Sequence, residues 1–296
     1  MMRLHSSLAE SLDRQLARDP EDWEQTFRQM ALFDLAEDIK FGFFLAYYRN
    51  FAIPSGAATL VRNGEIPARP MKRSIDTGLV IYELIACGLD SERGRQMTAL
   101  LNRVHRHVPG SPEDFLYVLM TLLVVPIRWT ELHGWRQPTQ TERDAATRFF
   151  RELGTRIHIA DIPVTFEAAA KFFDDYERRR VAPSSAGKTL MGATVQVFQS
   201  MQPRLLHPVT ERMIATMLDD APLAAALGLP RSTWWSRVAL AAGLGLRNAI
   251  RRRTPLSTIP SFIPGQAAPP VYAEGYDPAE IGPLNMMGPG TATRPD

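Results

Sequence analysis

Six histidines are the side chains of this 296-residue chain best suited to hold a metal ion, and two of them are close neighbours. His105 and His107 end a predicted helix whose apolar side chains form one stripe. At 100° per residue, the two imidazoles lie at opposite edges of that stripe, about 160° apart. A regular helix therefore does not let them chelate one ion together. Either imidazole alone could point into a pocket, and the alternative for each is a half-buried structural histidine.

Other motifs that carry chemistry are incomplete. Residues 182–189 resemble a phosphate-binding loop, but a charged helical segment precedes them where a buried strand is required, so we predict a helix–helix linker. Gly243-Leu-Gly245 lacks the third glycine of a dinucleotide fingerprint. HExxH, Glu-x-x-His and GxSxG do not occur. The single cysteine, Cys87, excludes Cys-rich zinc sites, Cys-ligated iron–sulfur clusters and covalent haem attachment through CxxCH.

Charge and hydropathy give expectations about partners and location. The 34 basic and 32 acidic residues leave a net charge of +2, which does not indicate a nucleic-acid partner. The N-terminus has no apolar signal region, and the apolar stretches 115–127 and 238–246 fall short of the ~20 residues that span a bilayer. We therefore predict a cytoplasmic protein. Residues 234–253 fit a core helix with a solvated basic end, which we favour, or a helix making peripheral membrane contact.

Helical periodicity dominates the sequence and predicts an all-α fold with one multi-helix domain. The predicted helices cover 21–48, 75–88, 91–108, 111–130, 139–156, 163–180, 187–203, 207–219 and 230–252. Ser111 and Thr139 provide helix N-terminal capping signals.

The predicted domain, residues 20–253, lies between a loosely attached N-terminal arm at 1–19 and a C-terminal tail at 254–296. Nine prolines and five glycines among the 43 residues of the tail leave little apolar surface to offset chain entropy. We expect the tail to be of low order, either disordered or draped over the domain. Phe262, Tyr272 and Tyr276 would allow local docking.

An ordered series of segments resembles the MpaB-type oxygenase family, which shares its catalytic domain with the latex-clearing rubber oxygenases. The segments are Tyr47–Pro54, Gly64-Glu65, Arg73–Thr77, Gly88–Ser91, Leu101–Gly110, Gly134–Arg136 and Asp161–Pro163. The resemblance runs from about Tyr47 to Arg180 and is weaker to about Arg253. No single segment is specific, so the order and spacing of the set carry the resemblance.

The resemblance implies a globin-like helical domain that binds haem b without covalent attachment and uses O₂ to cleave double bonds in an apolar, isoprenoid-like substrate. The family's axial histidine falls on His105, because Val108 and Gly110 follow it as in an H-x-x-V-x-G-like element; His107 has no such match. Arg73 and Thr77 fall on an R-x-x-x-T element that lines the haem pocket. An arginine there could bind a haem propionate or bound O₂, and a threonine could donate to O₂.

One position departs from the family pattern and leaves alternatives open. Rubber oxygenases carry a lysine just before the threonine, able to act as a distal ligand, where this chain has Asp76. A helical haem or lipid carrier without turnover is therefore a second hypothesis. A third is a partner-binding helical protein in which Arg73 and Asp76 form only an ion pair. With a helix starting near Ile75, Arg73 would lie just outside its first turn.

Overall fold

The computed structural model describes residues 10–11, 21–106 and 108–282, and helices dominate these ranges. In chain order the helices are α1 (Trp23–Gln29), α2 (Ala36–Arg49), α3 (Pro54–Asn63), α4 (Glu65–Ala68), α5 (Pro70–Cys87), α6 (Glu92–His105), α7 (Pro112–His133), α8 (Gln140–Arg156), α9 (Phe166–Arg180), α10 (Ser185–Ser200), α11 (His207–Leu218), α12 (Ala221–Ala226) and α13 (Trp234–Arg251). A π-helical turn, Met30–Asp34, joins α1 to α2. In the described part of the chain the one β-type pairing is an isolated Ala268–Tyr272 bridge, and the all-α class is confirmed.

The capping signals begin α7 and α8 as predicted. The Ser111 hydroxyl accepts from the Asp114 amide at 3.2 Å, and the Asp114 carboxylate accepts from the Ser111 amide at 3.0 Å. Thr139 and Glu142 make the same reciprocal pair at the start of α8. Each box provides partners for two backbone N–H groups near the helix start.

The start of α5 corrects the prediction for Arg73. Proline is well tolerated at a first helical position because it has no N–H to satisfy there, and α5 begins at Pro70. The Arg73 amide already donates to the Arg69 carbonyl at 3.1 Å. Arg73 is therefore inside the helix, and the prediction that it lies outside a helix starting near Ile75 is wrong.

The longest helix, α7, runs through the core against α2. Gly42 of α2 lies so close to Pro126 of α7 that an added Cβ would stand 2.3 Å from the proline Cα. Phe41 packs on Trp129 in the same interface, with ring centroids 4.5 Å apart. This helix of 22 residues is longer than the apolar stretch 115–127 recognised in the sequence, and it is long and apolar enough to cross a membrane. However, 67% of its apolar part is buried inside the domain. That burial is typical of a core helix in a globular protein.

The C-terminal segment lies on the domain as far as Gly282, which is the draped arrangement of the two expected. Its Tyr276 hydroxyl donates to the buried Glu83 carboxylate of α5, and the Gly265 amide donates to the same group at 3.2 Å. Arg93 pairs with Glu83 through two hydrogen bonds of 2.6 and 2.9 Å. The buried charge is thus satisfied from two elements. Residues 283–296, most of the predicted arm at 1–19, and His107 lie outside the described residues.

Helix α13 is not the core helix that we favoured from its sequence. Of its residues only Ser236 is buried, and most of its large apolar side chains, Trp234 among them, are exposed, while Leu244 packs against the core. The helix therefore packs on the surface of the domain.

Gly42→Ala should destabilise the protein, because the new methyl group must displace the Pro126 backbone in a packed interface. We expect a loss of about 1–3 kcal/mol in the free energy of unfolding, measured by chemical denaturation. Gly192→Ala in α10 is the matched control, since nothing lies within 4 Å of its added Cβ. It should be neutral or stabilising by up to about 1 kcal/mol. Equal effects of the two substitutions would contradict the packing described.

Candidate functional site

The structure brings Arg73 and His105 together at one end of two consecutive helices. Arg73 lies near the start of α5, and His105 is the last residue of α6. The short link 88–91 turns the chain back, so that the start of α5 lies near the end of α6. The Arg73 guanidinium is close enough to act electrostatically on the His105 imidazole.

Thr77 lies one turn after Arg73 on α5, as its spacing predicts. Its hydroxyl donates to the Arg73 carbonyl at 3.0 Å. This bond leaves the oxygen lone pairs of the hydroxyl available, but it engages the proton. Thr77 can therefore accept a hydrogen bond without rearrangement, whereas donating one requires the hydroxyl to rotate away from its own helix.

The His105 imidazole is half-buried and packs 5.8 Å, centroid to centroid, from the Phe115 ring. Within the described residues we find no hydrogen-bond partner for either ring nitrogen. Burial lowers the pKa of His105 below its usual 6.5, and the positive charge of Arg73 lowers it further. The neutral imidazole, which is the form that ligates metals, is therefore favoured near neutral pH.

Asp76 anchors the other side of Arg73. Its carboxylate is only 1% exposed and accepts from Lys72 Nζ at 2.9 Å and from Arg73 Nη1 at 3.3 Å. The Tyr272 hydroxyl donates to Asp76 Oδ1 at 2.7 Å, and the Gly282 amide donates to Oδ2 at 3.2 Å. Both carboxylate oxygens are therefore occupied by groups of the protein itself.

Two residues of this cluster were missed from the sequence. The Lys72–Asp76 pair has the i, i+4 spacing of a helical ion pair, and that signal could have found it. Tyr272 is 196 residues from Asp76 in the chain, and no local pattern links them. Lys72 Nζ also lies 3.3 Å from both the Glu280 and the Gly282 carbonyl oxygens. The C-terminal segment thus covers α5 at Asp76.

Tyr47 of α2 adds a buried hydroxyl group near Arg73. Ser74 of α5 is the polar side chain next to this hydroxyl, and the two groups do not form a hydrogen bond of good geometry. Burial raises the pKa of Tyr47 to about 12, and the nearby Arg73 charge opposes that rise. The phenol therefore stays protonated at physiological pH.

The incomplete motifs are structural segments. Residues 181–184 link α9 to α10, and Ser184 is the N-cap of α10, whose first residues are 185–189. The segment therefore connects two helices, as predicted. Gly243 and Gly245 lie inside α13. Across residues 21–106 and 108–282, no three His, Cys, Asp or Glu side chains are grouped as metal ligands.

The His105 imidazole should titrate below pH 6.5 in the ligand-free protein, measured by NMR with His105→Gln to assign its signals. Arg73→Ala should raise this pKa, because a neighbouring positive charge is removed. The value should stay below 6.5, because burial is the larger cause. Arg73→Lys is the charge-conserving control and should leave the pKa near that of the parent protein. An unchanged pKa in Arg73→Ala would contradict the proximity of the two side chains.

Comparisons with known proteins agree on one family. The family model described as "ER-bound oxygenase mpaB/B'/Rubber oxygenase, catalytic domain" matches residues 37–252. ER-bound oxygenase mpaB' of Penicillium brevicompactum is 26% identical in an alignment of 211 residues that covers 65% of this chain and 50% of that protein. ER-bound oxygenase mpaB of Penicillium roqueforti (strain FM164) is 25% identical in an alignment of 193 residues that covers 59% of this chain and 65% of that protein.

A solved structure, that of latex clearing protein LCP in the closed state, has the same fold. It superposes with a TM-score of 0.57 and 15% identity, and covers 86% of this chain and 75% of that one. The chain spans about half the length of the Penicillium brevicompactum relative. Both of these Penicillium relatives are named ER-bound, and this finding overturns the cytoplasmic location predicted from the sequence.

The match runs through most of the helical domain and includes all three residues singled out from the sequence, Arg73, Thr77 and His105. The chain therefore belongs to the family that comprises the mpaB and mpaB' oxygenases and the rubber oxygenases, through their shared catalytic domain.

Proposed function

We propose that this protein is a haem b-dependent oxygenase that uses O₂ to cleave carbon–carbon double bonds in an apolar, isoprenoid-like substrate. The observation that carries the proposal is the His105 imidazole, which is half-buried, favoured in its neutral form and without a partner among the described residues, beside the Arg73 guanidinium. Family membership supports the oxygenase class. The substrate class is carried over from the resemblance to the rubber oxygenases.

The residues present fit a haem group. His105 would be the proximal ligand, since one imidazole suffices to hold haem iron. Bound haem would supply an iron with a second face at which O₂ can bind. Arg73 presents a guanidinium that could pair with a propionate or donate to bound oxygen. The buried Tyr47 hydroxyl, which lies near Arg73 and Ser74, is a further donor.

The chain's own contacts position the side chains near His105. The Asp76 carboxylate holds Arg73 through the 3.3 Å ion pair, which limits the rotamers of the guanidinium. Thr77 presents its hydroxyl oxygen one turn further along α5. Asp76 itself, surrounded by its four donors, is not a substitute for a ligating lysine. The distal side would therefore carry no side-chain ligand from this position.

Purified protein supplied with haem should show a Soret band and a histidine-ligated ferrous–CO spectrum. His105→Ala should lose haem or change this spectrum, because the axial ligand is removed. His107→Ala, two residues along the chain, is the matched control and should keep both. The reversed result would reject His105 as the ligand, and the absence of haem in all three proteins after supplementation would reject the function.

Arg73→Ala should weaken haem occupancy or turnover more than folding. Loss of one charge-assisted hydrogen bond of about 1.5–3 kcal/mol corresponds to roughly a tenfold to hundredfold weaker interaction. The unfolding free energy should fall by only about 1 kcal/mol, because Lys72, Tyr272 and Gly282 still satisfy Asp76. Normal haem content and turnover in Arg73→Ala would show that the residue serves only its ion pair with Asp76.

A non-catalytic haem or lipid carrier is the second candidate, and the occupied Asp76 carboxylate in place of the family lysine favours it. Oxygen uptake by the haem-loaded protein with unsaturated terpenoid substrates separates the two. An oxygenase consumes O₂ and forms cleaved carbonyl products, whereas a carrier binds the substrate without consuming O₂. The His105→Ala protein provides the background rate.

A further inference from the structure

Helix α13 is amphipathic, and the side that carries most of its polar contacts, together with Leu244, faces the domain. Asn248 Nδ2 donates to the His133 and Gly134 carbonyls at 2.9 and 3.1 Å. Arg247 pairs with the buried Asp38 at 2.5 Å. The buried Ser236 hydroxyl accepts a 2.8 Å hydrogen bond from Thr216 of α11. These contacts determine which face of the helix is turned inward.

The opposite side of α13 is apolar and exposed. Trp234 is 78% exposed, Val238 58%, Leu246 65% and Ile250 58%, and Trp235 lies beside them at 39%. At 100° per residue these positions, with the alanines and a glycine between them, cover about half of the helix circumference without one charged side chain. The helix is about 27 Å long. A continuous apolar face of this size on a protein surface marks an interaction site.

The chain around this face is basic. From Ala221 to Ala273 the sequence has no aspartate or glutamate, while it has six arginines. Arg231 and Arg237 are exposed near the start of α13, and Arg253 is exposed just after its end. Positive charge at both ends of an apolar face complements a surface that is apolar within and negative at its boundary. That surface is an anionic lipid bilayer.

We propose that α13 binds in the plane of an anionic membrane surface, with its apolar face among the acyl chains and the flanking arginines at the headgroups. Tryptophans at one end suit this position, because indole rings favour the boundary between apolar and wet layers. A second copy of the chain fits less well, since a symmetric contact through this face would bring two stretches of six arginines together. The proposal does not depend on the proposed oxygenase activity.

The test is flotation of the full-length protein with vesicles of phosphatidylcholine alone or mixed with phosphatidylglycerol. We expect binding to the mixed vesicles that weakens with salt, and weak binding to neutral ones. Val238→Glu and Leu246→Glu should each reduce partitioning of the protein onto the vesicles by about tenfold or more. In each variant a carboxylate replaces an apolar side chain that would be inserted among the acyl chains of an anionic membrane. Val164→Glu, at a valine that is 68% exposed before α9, is the matched control and should bind like the parent protein.

Two further readouts distinguish the membrane from other occupants of the face. The tryptophan fluorescence should shift to the blue with mixed vesicles, and the Trp234→Phe/Trp235→Phe variant should lose that shift. Sedimentation should show the same oligomeric state for the parent protein and Val238→Glu. A dimer that dissociates in Val238→Glu, without vesicle binding by either protein, would overturn the proposal in favour of self-association. Equal vesicle binding by Val238→Glu and Val164→Glu, or no flotation of the folded parent protein, would also overturn it.

Discussion

The buried carboxylate of Asp76 is the constraint on which the candidate site depends. An ionised carboxylate removed from water is costly unless its oxygens are paired, and this one receives Lys72 and Arg73 from its own helix and Tyr272 and Gly282 from the C-terminal segment. A buried charge that is left without any partner typically costs about 3–5 kcal/mol, and the several donors to Asp76 prevent this when Arg73 alone is removed. The ion pair also orients Arg73, whose charge acts on His105.

A second buried carboxylate is paired in the same way two turns further along α5. Glu83 lies seven residues after Asp76, and therefore on the same helix face. It is paired with Arg93 of α6 and receives the Tyr276 hydroxyl. Asp76 and Glu83 thus accept hydrogen bonds from Tyr272 and Tyr276, which lie four residues apart in the C-terminal segment. These two contacts hold residues 254–282 along α5. This explains how a segment rich in proline and glycine is ordered: polar pairing supplements the little apolar surface that it buries.

The features of the fold that depend on residues close together in the chain could be predicted from the sequence. Helical periodicity predicted the all-α class, and Ser111 and Thr139 predicted the starts of α7 and α8. The resemblance to the oxygenase family, and not a local signal, selected Arg73, Thr77 and His105, of which Arg73 and His105 lie near each other. The start of α5 was placed too late, because the sequence after Pro70 is polar and carries no apolar period.

The Asp76–Tyr272 contact joins residues 196 apart, which no pattern in one sequence reveals. Periodicity in α13 located an apolar face but not the direction in which it points, since Asn248 and Arg247 find their partners only in the folded domain.

We infer that the neutral imidazole of His105, which has no hydrogen-bond partner among the described residues, is the side chain that holds the haem iron. Chemical rescue is the decisive experiment: His105→Gly leaves space for a free imidazole molecule at the position of the side chain, and the haem spectrum is recorded with and without added imidazole. If His105 is the ligand, the variant loses the parent spectrum and imidazole restores it in a saturable manner. A parent-like spectrum without imidazole, or the absence of any restoration in a folded variant that still retains haem, would contradict the claim.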